Sequence, residues 1–191
     1  MFNVGDKVVY PLHGAGVIES IEEKAILDER QSYYIIKMPG EVKVMVPTSK
    51  AEDIGVRNII DSDSALKVIK ILEEESTEMS MNWNKRYRDN MEKMKTGDIY
   101  EVADIVRNLS FKQKDKGLST GEKKMLLNAK QILVSELVLA QDKDKKEVEE
   151  LVEGKINASY EAHLNNIEVE PMAAGSENTS PNIMKKFIPQ T

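Results

Sequence analysis

Two hydrophobic periods divide this chain, and they change over once, at Ile60. Before that point apolar and polar residues alternate over short runs. Lys7 to Tyr10 predicts a strand that stops at Pro11. Val17 to Glu22 predicts a second, with Val17, Glu19 and Ile21 on one side and Ile18, Ser20 and Glu22 on the other. Ser32 to Met38 is aromatic and β-branched, and Pro39-Gly40 turns the chain after it. Val42, Val44 and Val46 then alternate with Lys43 and Met45. Short strands between Gly and Pro turns predict a small β-barrel or a strongly bent sheet, because closure hides edges that such strands expose.

After Ile60 the spacing is helical. Ala65, Leu66, Ile69 and Leu72 recur on one face, with Asp61 or Ser62 as cap. Glu73 to Ser80 is acidic and reads as a solvated linker, so a linker is expected near 73–81. A second helix starts near Asn82, carries Trp83, Tyr87, Met91 and Met94 on one stripe, and stops at Gly97. Asp98 can cap a third, whose inner face holds Ile99, Val102, Val106 and Leu109. Ser119-Thr120-Gly121-Glu122 is a capping box opening a fourth, with Met125, Ala129, Ile132, Leu133 and Leu137 inside. A last helix, around Lys145 to His163, is lightly apolar and interrupted by Gly154. Asn, Ser, Pro and Gly dominate Pro171 to Thr191, which predicts a disordered tail within 166–191. The expected class is therefore α+β: a β module over 1–60 and an all-helical module over 61–165.

Charge sharpens this picture. The whole chain is −6, which by itself argues against a nucleic-acid binder. From Trp83 to Lys146, however, 15 Lys+Arg face 10 Asp+Glu, a local +5 between acidic flanks. There are no cysteines, which excludes disulfides, thiolate metal sites and a cysteine nucleophile. The longest apolar run, Ile132 to Ala140, falls far short of the roughly 20 residues a membrane helix needs. No basic-then-hydrophobic leader opens the chain, and a soluble cytoplasmic protein is expected.

Candidate chemistry is sparse. His13-Gly14-Ala15-Gly16 lacks the following helix that a phosphate loop requires, and reads as a tight turn. His13 and His163 fall in different modules and make no metal-ligand spacing. Lys95-Thr96-Gly97 is a helix end rather than part of a penicillin-binding site, whose companion elements are missing. No nucleophile, base and oxyanion site assemble, so neither an enzyme, a metal, a cofactor nor a small-molecule ligand is expected. The informative stretch is Asn82-Trp83-Asn84-Lys85-Arg86-Tyr87-Arg88. A lone tryptophan on an apolar stripe is usually a core anchor. Yet Trp83 sits in the first turn of its helix among Lys85, Arg86 and Arg88, groups that suit phosphates, and aromatic wedges enter base steps beside such cations. Both readings stand. Lys112, Lys114, Lys116, Lys123 and Lys124 form a second basic set, equally readable as a solvated turn.

The run Val4-Gly5-Asp6-Lys7-Val8-Val9-Tyr10-Pro11-Leu12-His13-Gly14-Ala15-Gly16, followed by Ile18 and Ile21-Glu22, resembles the opening of CarD proteins. It is also similar to the polymerase-interacting module of transcription-repair coupling factor. Val42 to Pro47 resembles that module's later strand. Asn82-Trp83 with Arg86-Tyr87, Gly97-Asp98, Val102-Ala103, Val106-Arg107 and Gly117 to Lys123 resemble the family's helical domain, so the likeness runs from Met1 to about Ala140.

The resemblance implies a Tudor-like barrel that docks on the β subunit of bacterial RNA polymerase, and a helical domain on the upstream edge of the melted promoter. It implies a tryptophan wedge at Trp83 in the minor groove that slows open-complex collapse. Lys85, Arg86 and Arg88 would contact DNA backbone, with Lys123 and Lys124 added from the basic turn. Lys24 would face polymerase, with Lys43, Met45 and Pro47 on the later strand. Some relatives carry arginine where Met45 stands. Localisation would be cytoplasmic, on the nucleoid through polymerase. The alternative is an acidic helical adaptor acting only through protein–protein contacts, with no DNA role. Met184-Lys185-Lys186-Phe187-Ile188 reads as a short docking element or plain tail.

Overall fold

A computed structural model describes residues 1–26 and 29–169; the tail from Pro171 onward, including Met184 to Ile188, lies outside the described residues. The architecture is α+β, a five-stranded antiparallel sheet followed by helices. β1 (Lys7–Tyr10), β2 (Gly14–Ile26), β3 (Glu29–Lys37) and β4 (Lys43–Pro47) lead through a 3-10 turn into α1 (Ala51–Ile54) and then β5 (Arg57–Asn58). The order is β4-β3-β2-β1-β5, so β4 and β5 are edges and the ladders form an open sheet rather than a closed barrel. Alternation alone did not anticipate α1 or the two-residue β5.

The expected alternation along β2 is corrected by a bulge. The register shifts between Ile18 and Ser20, leaving Glu19 extra. Ile18 lies opposite Ile36, and Ile21 opposite Tyr34, so both isoleucines point to one side despite their odd spacing, Ile18 inside the core and Ile21 at its exposed margin. That side holds Val8, Ile18, Tyr34, Ile36 and Val46, closed by Ala51 of α1 and by Val56. The other face carries Ser20, Glu22 and Lys24 opposite Ile35, Tyr33 and Gln31, then Lys43, Met45 and Pro47 opposite Lys37, Ile35 and Tyr33.

The helical module comprises α2 (Ser62–Glu73), α3 (Trp83–Lys95), α4 (Ile99–Asp115), α5 (Thr120–Gln141) and α6 (Lys145–Val169). Asp61, Asn82, Asp98 and Ser119 each accept a backbone N–H at a helix start, satisfying donors the helix cannot. One expectation fails here. Gly154 does not interrupt α6, which runs past 165 to Val169, because Val148, Val152 and Ile156 pack its inner face on both sides of the glycine. Residues 74–80 are irregular and mostly exposed, and side chains of α4 tie them down. Buried Arg107 donates to the Ile71 carbonyl and pairs with Glu74, and the Asn108 side chain exchanges hydrogen bonds with Thr77.

The two modules are joined through α5. Ala15 and Val9 are fully buried, and Ala15 N–H donates to Ser135 Oγ at 2.8 Å. Gly14 has φ +97°, and a Cβ there would lie 2.5 Å from Ser135 Oγ, so both backbone and space demand glycine. Arg57 forms a bidentate pair with buried Glu136 at 2.6 and 2.9 Å, and also donates to the Gly97 carbonyl. Glu136 accepts the Ile60 N–H at 3.0 Å as well. No helix of the described residues is long and apolar enough to cross a membrane.

Candidate nucleic-acid interface

Trp83 is the first residue of α3. Asn82 caps that helix through Lys85 N–H, which leaves the indole at the module's end. Two contacts hold it. Its Nε1–H donates to Ser119 Oγ at 2.7 Å. Its ring stacks on Tyr87, with centroids 5.9 Å apart and 29° between planes. Gly121 leaves room beneath both rings: a Cβ there would meet Tyr87 at 3.4 Å and Trp83 at 3.8 Å. The residue nevertheless remains 44% exposed. The indole is thus fixed on one side and open on the other.

Ser119, which takes the indole hydrogen bond, is itself locked. The capping box is complete: its Oγ accepts from Glu122 N–H, and Glu122 Oε2 accepts from Ser119 N–H at 3.0 Å. Burial pushes the Glu122 carboxyl up. The Ser119 hydrogen bonds and the Arg86 guanidinium outweigh that and hold it below the ordinary glutamate value. Arg86 pairs with Glu122 Oε1 at 2.7 Å and donates to the Ser80 carbonyl at 2.6 Å. The expectation of a free, DNA-facing Arg86 is therefore corrected. Its side chain is buried, and it ties α3, α5 and the segment before α3 together.

Lys85 and Arg88, one and two positions either side of Arg86 on α3, are exposed. So are Lys123 and Lys124, in the first turns of α5 just past Ser119. Among the described residues none of these four has a salt-bridge partner, whereas Lys93 is committed to Glu101 and Asp104. The starts of α3 and α5, which lie 36 residues apart in sequence, meet at the Trp83–Ser119 bond. The fold thus gathers Trp83, Lys85, Arg88, Lys123 and Lys124 at one end of the helical module. Lys112 turns back to the Gly117 carbonyl, and Lys114 lies 5.0 Å from the Tyr160 ring centre.

The second predicted group is on the sheet. Lys24, Lys43, Met45 and Pro47 share its outer face. Lys24 Nζ reaches Met45 Sδ at 3.4 Å and pairs with Glu22 at 3.1 Å, and Lys43 pairs with Glu19. Met45 is 47% exposed beside the nearly buried Tyr33 and Ile35. α5 covers the other end of this face at Ala15, so the Met45 end is the open part. Sequence reasoning missed Arg107, Asn108 and the Arg57–Glu136 pair. For Arg107 a signal existed, a lone arginine inside the apolar run Ile105 to Leu109.

These features define a two-module chain: a small antiparallel sheet with one face partly open, fused to a helical module that ends in a half-exposed aromatic residue, with exposed cations in the first turns of the two helices that meet there. Residues 2–60 match the family model for the CarD-like/TRCF RID domain, and residues 67–153 match that for CarD, C-terminal domain. The candidate transcription factor YdeB of Bacillus subtilis (strain 168) is 44% identical over 138 residues, covering 72% of this chain and 90% of that protein. The chain belongs to the CarD family of transcription regulators.

Proposed function

We propose that this protein binds RNA polymerase through the sheet and stabilises the opened promoter through the helical tip. The open face around Lys24, Lys43, Met45 and Pro47 docks on the polymerase β subunit. Trp83 then enters the minor groove at the upstream edge of the melted DNA, while Lys85, Arg88, Lys123 and Lys124 lie along phosphates. No catalytic step is involved, and the protein reaches the nucleoid only through polymerase.

The observation that carries this reading is Trp83 itself. Its N–H is already donated to Ser119, so the exposed edge is apolar, suited to wedging between base steps rather than to reading a base. A few unpaired cations give feeble, salt-sensitive DNA affinity alone, and tethering on polymerase raises the local concentration.

Trp83→Ala tests the reading. Open-complex lifetime on a linear promoter fragment is expected to fall roughly tenfold, as the loss of about 1–3 kcal/mol of base–aromatic contact implies. Polymerase affinity is expected to stay within about twofold, since the sheet face is untouched. An unchanged lifetime, or a variant that unfolds, removes the wedge. Unchanged promoter output after joint neutralisation of Lys85 and Arg88 favours the protein-only adaptor instead.

A further inference from the structure

We propose that the part of α6 beyond residue 153 is a brace that positions the Trp83 tip. The inference rests on the reading of Trp83 above. The match to the CarD C-terminal model ends at residue 153, whereas α6 continues without a break to Val169. This added length touches both stretches of chain that lead to the tip.

The first stretch, 74–81, runs between the end of α2 at Glu73 and the α3 cap at Asn82, and its residues belong to no helix or strand. Having no ladder of its own, it holds its shape only through side chains that reach it. Lys155 pairs with Glu73, and Ser159 Oγ donates to the Glu74 carbonyl at 2.8 Å. Ser159 is buried, so the bond is shielded on the α6 side. Arg107 and Asn108 of α4 hold the middle of the same stretch, and Arg86 holds its far end at Ser80. The α6 extension therefore supplies the first anchor in a series that ends two residues before the cap of α3.

The second stretch is the end of α4 and the turn into Ser119, the acceptor of the indole. Tyr160 OH donates to Asp115 at 2.6 Å, and its ring meets Phe111 edge-on at 5.2 Å. Lys114 sits over the same ring. Two neighbouring residues, Ser159 and Tyr160, thus hold the two approaches to Trp83 from behind. Ile156, fully buried, keeps the extension seated independently of those polar contacts.

The test removes the polar contacts and leaves the packing. In the Ser159→Ala/Tyr160→Phe variant of the full chain, melting is expected to shift by only a few degrees. Amide exchange over Glu74 to Met81 is expected to accelerate about tenfold. Trp83, as the only tryptophan, reports directly: its fluorescence anisotropy is expected to drop and its quenching by iodide to rise. Open-complex lifetime is expected to fall several-fold at unchanged polymerase affinity, and Ser159→Thr paired with native Tyr160 is expected to keep wild-type values. Two results overturn the proposal: a lower melting temperature with unchanged Trp83 signals, or faster exchange with an unchanged lifetime. The exchange and fluorescence readings are made on free protein, so they stand apart from the wedge. If Trp83→Ala is inert on promoters, the functional reading falls even where the extension proves to order the tip.

Discussion

The joint between the modules and the tip of the helical module are built on the same chemistry, an arginine paired with a buried glutamate, in different surroundings. At the joint, Glu136 takes two nitrogens of Arg57 and the Ile60 N–H, and the Arg57 side chain is still 32% exposed. At the tip, Arg86 is itself buried, and Glu122 also closes a capping box. Each carboxylate joins parts of the chain distant in sequence. The joint spans two modules with separate cores, whereas the tip pair works inside one core and holds the seat of an exposed indole. The difference predicts that damage at the joint costs stability and module coupling together, and damage at the tip costs mainly order around Trp83.

The strongest way to break this comparison is Glu136→Ala. It strands Arg57 and the Ile60 N–H in a partly buried site, and a loss of roughly 3–5 kcal/mol is expected in denaturant unfolding. A loss below about 1 kcal/mol would show that the joint is loose. Glu122→Gln comes next. It keeps the shape but weakens the bonds to Arg86, for an expected loss of roughly 1.5–3 kcal/mol with a shifted Trp83 emission.

The same carboxylate predicts a pH dependence. Its folded value lies below the unfolded one, so its stabilisation is present above the unfolded glutamate value of about 4.3 and is lost as pH falls through the folded value. Trp83 emission followed down an acid titration should change in that window in the wild type and not in Glu122→Gln. The smallest effect expected is at Gly154. A Cβ there meets nothing within 4 Å, and Gly154→Ala should stabilise α6 by about 1 kcal/mol in thermal melts. Destabilisation there would mean that α6 needs the glycine after all.

Local signals were legible in the sequence and distant ones were not. The capping box at Ser119 and Glu122 is a four-residue pattern, and it holds as read. The caps at Asp61, Asn82 and Asp98 are equally local. Arg86 was misread as a free cation because its partner, Glu122, lies 36 residues away. The acidic run after Glu73 is exposed, as read, but its anchors were hidden for the same reason: Lys155 and Arg107 come to it from other helices. Along β2 the single extra residue Glu19 changes which side chains share a face, a shift that strict alternation cannot register. Trp83 lay between two readings because the indole is divided: part is packed on Tyr87 and part is open.

α5 begins beside the indole and passes the joint at Ser135 and Glu136, so it acts as a lever arm. The sixteen steps from Thr120 to Glu136 span about 24 Å at the usual helical rise. A tilt of about 5° at the Glu136 end would carry the Trp83 end through about 2 Å, more than half of the roughly 3.4 Å rise between base pairs. A side chain forced in at Gly14 would act on the short end of that lever. Gly14, with no room for one more carbon, thus meets α5 some two dozen ångströms from the aromatic tip.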